Sequence, residues 1–130
     1  MTDPSGSAWD FQEEASAARD GQSRQAGYPA LELALIRAAR DSSLRRFYPF
    51  TSHYEVRFGT GPRWYLGEDD LLSVGIAPTR EGGYLVYSRD DAAPGAPHTE
   101  ILRTDDAAVA IAQVERLISR GHGPGAAQGG

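Results

Sequence analysis

The sequence predicts an α+β fold, a two-layer sandwich in which an antiparallel meander of four or five strands is covered on one face by an N-terminal and a C-terminal helix. Three observations predict it. Apolar residues recur at helical spacing in an early segment (Leu31, Ala34, Leu35, Ala38) and again in a late one (Ala107, Ile111, Val114, Ile118). Between the two the period drops to two in a series of short stretches. The links joining those stretches are brief and rich in Gly, Pro and Asp, too short for the crossovers that parallel neighbours need. An antiparallel sheet with one apolar face then buries that face under the two amphipathic helices.

Residues 1–27 are polar and rich in Ala, Ser and Gly. Trp9 and Phe11 open either a short helix toward Ala18, with Glu13 and Glu14 near its positive end, or a disordered lead that docks loosely. A helix is expected after Tyr28-Pro29, since proline suits a first turn, with Arg37 and Arg40 on its solvent side. Asp41-Ser42-Ser43 offers a stop and a cap for one further turn, Leu44 to Phe47, which Pro49 closes. From His53 the alternation sets Tyr54, Val56 and Phe58 on one face and His53, Glu55 and Arg57 on the other. Gly59-Thr60-Gly61-Pro62 reads as a hairpin turn and Arg63 to Leu66 as the returning strand. Leu71 to Ala77, Tyr84 to Arg89 and Glu100 to Arg103 complete the meander, with a polar loop at 90–98. Thr104 or Asp105 caps the last helix, Ala110 and Leu117 widen its apolar stripe, and Arg120-Gly121 ends it before a Gly-rich tail, 121–130, expected to be disordered. The domain is thus residues 28–120.

Composition excludes several classes of function. Eighteen acids against 13 bases give a net charge of −5, without the basic footprint that nucleic acid requires. Every base is arginine, scattered among acids, as a GC-rich genome would produce. The absence of cysteine removes disulfides, thiolate nucleophiles and cysteine-based metal sites together. No secretory signal opens the chain and no apolar stretch approaches a membrane span, so the cytoplasm is the expected compartment. No cofactor signature is present: the Gly59-Thr60-Gly61 and Glu81-Gly82-Gly83 clusters lie between strands and match neither a phosphate loop nor a dinucleotide fingerprint.

The run Leu44 to Phe58 concentrates the candidates, crowding Phe47, Tyr48, Phe50, Tyr54 and Phe58 around His53. His53 beside Tyr48 is the candidate for general acid–base chemistry, because imidazole titrates near neutral pH. Glu55, Arg57, Arg63 and Tyr65 share the polar sheet face with His53 in this reading and form a candidate ligand or partner surface. Ser52-His53 does not make a nucleophile and its base, because neighbours on a strand point to opposite faces. His53, His98 and His122 lack the spacing that gathers metal ligands locally, and no metal site is expected.

This run also carries a resemblance. Leu44, Arg45, Tyr48, Pro49, Phe50, Thr51, Ser52 and His53 form an L-R-x-x-Y-P-F-T-S-H block. The block resembles that of a family of small actinobacterial proteins labelled natural product biosynthesis protein, of uncharacterised function. The likeness in pattern extends over residues 28–120, with Asp105 to Ser119 as the terminal helix. It implies an actinobacterial setting and a link to secondary metabolism, and brings no reaction or catalytic residue with it.

The expectation is therefore an accessory protein of a natural-product pathway that binds a partner enzyme, a carrier protein or an intermediate. Two alternatives stand beside it. One is a small cofactor-free tailoring enzyme (a cyclase, isomerase or dehydratase) that moves a proton with His53, Tyr48, Arg57 and Tyr65. The other is a self-protection or immunity protein. An exposed strand at the meander's edge also offers pairing into a homodimer.

Overall fold

A computed structural model describes residues 5–52, 55–88 and 99–119. His53, Tyr54, the 90–98 loop with His98, and the tail with His122 lie outside the described residues. Among the described residues three α-helices and five strands follow one another as α1 (Gly6–Gln25), α2 (Glu32–Arg40), β1 (Tyr48–Ser52), β2 (Glu55–Gly59), β3 (Val74–Pro78), β4 (Tyr84–Ser88), β5 (Thr99–Thr104) and α3 (Ala107–Leu117). The strands form one antiparallel sheet in the order β1-β2-β3-β4-β5. This is the α+β meander that the alternation of period two and short links dictates.

The helices lie on one face. Val56, Phe58, Val74, Ile76, Tyr84 and Val86 from the sheet pack with Leu35, Ile36 and Ala39 of α2 and with Ala110, Ile111, Val114 and Leu117 of α3. The stripe of α3 is the expected one. That of α2 is rotated: Glu32, Leu35, Ile36 and Ala39 are buried and Ala34 is exposed. The rotation has a cause, because α1 packs along α2 and takes up a second side of it.

Residues 6–25 form a full helix despite their polarity. Trp9, Gln12, Ser16 and Asp20 make its buried face, three or four residues apart. Trp9 is the anchor. Its ring lies 6.4 Å from that of Phe58, and its indole N–H donates to the Arg45 carbonyl at 2.9 Å. Small and polar residues fill the rest of the face, with Gln12 donating to Ser16 at 3.0 Å.

Several boundaries differ from the sequence reading, among them the cap of α3, which is Asp106 rather than Thr104 or Asp105, its carboxylate accepting from the N–H groups of Ala108 and Val109. Pro29 precedes the first turn of α2, whose start at Glu32 is capped from outside by the Asp20 carboxylate, which accepts from the backbone N–H groups of Glu32 and Leu33 at 3.0 Å each. Arg63 to Leu66 is not a strand. It contains a 3-10 turn, Trp64–Leu66, within the long β2–β3 connection, and the strand beside β2 is instead Tyr48–Ser52. The connection is tied at Asp69 and Asp70: the Asp69 carboxylate accepts from the Arg63 backbone N–H at 2.8 Å, and the Thr60 N–H donates to the Asp70 backbone carbonyl at 2.9 Å. The Ser42-capped turn appears as a 3-10 turn, Ser43–Arg46. Pro49, expected to close that turn, lies within β1, an edge strand where a missing N–H is tolerated.

Candidate functional site

Directly opposed residues on paired strands share a sheet face. Phe50 opposes Arg57, Ser52 opposes Glu55 and Gly75 opposes Tyr87, so these positions lie on the face that carries no helix. Tyr48, half-buried and opposite Gly59, belongs to the same face.

Three polar side chains of this face, Glu55, Arg57 and Tyr87, are held in internal hydrogen bonds. Tyr87 is fully buried, and its hydroxyl crosses β3 to donate to Glu55 Oε2 at 2.8 Å. The crossing requires Gly75, because a Cβ there would stand 2.3 Å from the Tyr87 hydroxyl oxygen. Arg57 is buried as well, and its guanidinium donates to the Leu72 carbonyl at 3.0 Å, pinning the β2–β3 connection to the sheet.

Above them sits an aromatic cluster. Trp64 stacks on Phe50 with ring centroids 3.7 Å apart and planes 12° from parallel. It approaches so closely that a Cβ on Gly59 would lie 2.8 Å from its own Cβ. Tyr65 meets Trp64 edge-on at 5.8 Å. Tyr65 and Leu66 project outward, 66% and 56% exposed. Arg63 is exposed beside them and paired with Glu68 at 3.0 Å.

The candidates therefore divide. Glu55 and Arg57 stand on β2 in structural hydrogen bonds, Tyr48 flanks them on β1, and Arg63 and Tyr65 occupy the 3-10 region instead of a neighbouring strand. His53 lies outside the described residues. Tyr87 is the member of this face that the sequence does not single out. Tyr87 was legible only as a strand aromatic, and Trp64 was assigned to a strand that does not form.

A second polar locus lies where the end of α1, the 26–31 link and the β3–β4 turn border an open cavity of about 550 Å3. Asp20, Glu32, Arg19, Tyr28, Pro78 and Arg80 are among its lining residues. Glu32 is buried, and its Oε1 accepts from Arg19 at 3.1 Å while the same Arg19 nitrogen donates to Thr51 at 3.1 Å. Burial holds the Glu32 carboxyl above the usual glutamate range; Arg19 acts against that rise and Asp20 adds to it. Burial likewise raises Tyr84, whose hydroxyl donates to the Leu31 carbonyl at 2.8 Å, and the charges of Asp20 and Asp106 raise it further. Sequence reasoning missed this locus because its carboxylates come from two helices, with no local motif.

Among the described residues no three His, Asp or Glu side chains converge as a metal-binding set, and no helix is long and apolar enough to cross a membrane. No curated protein and no solved structure matches the chain. Residues 8–129, from the first turn of α1 onward, match the model of the Family of unknown function (DUF6193), and the chain belongs to that family.

Proposed function

We propose that the protein is a non-catalytic accessory component of an actinobacterial natural-product pathway, working in the cytoplasm. It holds a partner enzyme, a carrier protein or a pathway intermediate against the helix-free face of its sheet. One observation supports this reading above the others: three of the polar groups described on that face are engaged in internal hydrogen bonds, Tyr87 with Glu55 and Arg57 with the Leu72 carbonyl, while the aromatic cluster above them presents Tyr65 and Leu66 outward. A proton-transfer site needs a titrating group poised toward a substrate. A binding surface needs rigid aromatic contacts whose supports are already fixed, which is how the Phe50–Trp64 stack holds Tyr65.

Gene deletion followed by complementation tests the reading. Tyr65→Ala with Leu66→Ser removes only exposed side chains, so the variant folds as the parent does. Loss of an aromatic anchor costs about 2 kcal/mol, or roughly 30-fold in affinity, and the pathway product is expected to fall. His53→Ala is expected to restore the product in full. Full restoration by the Tyr65/Leu66 variant would remove the surface from the function. Loss of product with a folded His53→Ala variant would turn the reading to the tailoring enzyme.

A further inference from the structure

We propose that the cavity between the end of α1, the 26–31 link and the β3–β4 turn binds a small molecule carrying a protonated amine on an apolar body. The inference is independent of the aromatic face and concerns a different part of the molecule. Its volume, about 550 Å3, is that of a site for a compact organic ligand. Two carboxylates lie on its walls, both buried: Asp20 is 4% and Glu32 7% exposed. Asp20 already accepts two backbone N–H groups, and Arg19 is shared between Glu32 Oε1 and Thr51. Glu32 Oε2 accepts no hydrogen bond from any described residue.

A buried carboxylate oxygen without a donor is a costly arrangement, and the missing partner is by its chemistry a donor, best a charged one. Glu32 lines the cavity and the last torsion of a glutamate is broad, so a modest turn of the carboxyl presents Oε2 to a donor placed there. An ammonium group there pairs with the Glu32 oxygen that Arg19 leaves unmet, in a lining whose two carboxylates are buried while Arg80 is exposed. Tyr28, Pro29, Leu31 and Pro78 supply apolar walls for the remainder of the ligand, and the Tyr28 ring is suited to cover a cation. Arg80, exposed in the same lining, opposes a second positive charge and favours a ligand with one amine.

The experiment titrates the full chain with tyramine, and with 4-ethylphenol as a neutral probe with the same body and no amine. It is followed by calorimetry and amide chemical shifts. Tyramine is expected to bind saturably and to shift Tyr28 and Thr79, while the amine-free probe does not. Glu32→Gln is expected to weaken tyramine about tenfold, and Arg80→Glu, an exposed change that leaves the fold intact, to strengthen it about threefold. An ammonium beside Glu32 favours its ionised form, so binding releases protons as pH passes through the raised titration of this carboxyl, read as a buffer-dependent heat. Equal binding of both probes would overturn the proposal. So would no saturation by about 10 mM tyramine, or an affinity that neither variant moves.

Discussion

Gly75 has no room for a side chain, because the Tyr87 hydroxyl occupies the place of its Cβ on the way to Glu55. Gly75→Ala must displace a fully buried ring and break that hydrogen bond, so a loss of about 2–3 kcal/mol is expected in urea unfolding. Tyr87→Phe keeps the ring and is expected to lose about 1 kcal/mol, the usual worth of one such bond. Tyr87→Leu retracts the obstruction, and Gly75→Ala made in that background is expected to cost less than half as much, the sign of direct coupling. Glu32 yields a pH prediction. Its carboxyl is raised by burial, so the folded state binds that proton more tightly than the unfolded chain does. Stability from this residue is therefore greatest below the unfolded value of 4.5 and declines as pH rises through the raised folded value. Glu32→Gln has no proton to lose. The melting temperature of the variant minus that of the wild type is expected to increase with pH across that window, and a flat difference would contradict the assignment.

At the scale of elements, α2 depends on a residue that belongs to α1. Asp20 supplies the cap that Leu31 cannot, so Asp20→Ala is expected to cost about 1–2 kcal/mol and to increase amide exchange at Glu32 and Leu33 first. Trp9→Ala removes the anchor of α1 and is expected to cost about 3–5 kcal/mol, detaching α1 while the sheet register persists. These two residues also mark where the sequence was and was not legible. The elements with a clean period were readable: α3, β2 from Glu55 on, β3 and β4 each follow from their own residues. α1 is legible only as one of two alternatives, and too short at Ala18, because its buried face includes the polar Gln12, Ser16 and Asp20, and Asp20 finds its partners in α2. β1 was hidden behind Pro49, and Trp64 was mistaken for a strand residue because its stacking on Phe50 is a tertiary contact. The candidate site was read halfway. Val56 and Phe58 were correctly given to the core, whereas the buried state of Arg57 depends on the Leu72 carbonyl, which no local pattern announces.

For the whole molecule, the open question of the sheet is its two edges, since an open meander can pair with another copy along either one. Both edges carry obstructions. β1 contains Pro49, which has no N–H to offer, and α1 packs against it, with Arg19 bonded to Thr51. β5 is exposed, yet its pairing with β4 slips between Val86 and Tyr87, leaving a bulge at Ile101. Glu100 and Arg103 bond to each other at 2.8 Å on the same strand and keep charge on that edge. A bulged, charged strand is a poor template for a second chain, so the protein is expected to sediment as a monomer at about 100 μM, well above the dissociation constant of a stable dimer. Glu100→Thr with Arg103→Val keeps strand propensity and removes the charge. That variant is expected to associate with increasing concentration, by β5 rather than by the aromatic face, so that further substitution of Tyr65 leaves the association unchanged. A wild-type dimer that Glu100→Thr/Arg103→Val does not alter would place the contact elsewhere, and the helix-free face, with Tyr65 and Leu66 outward, would then be the surface to test.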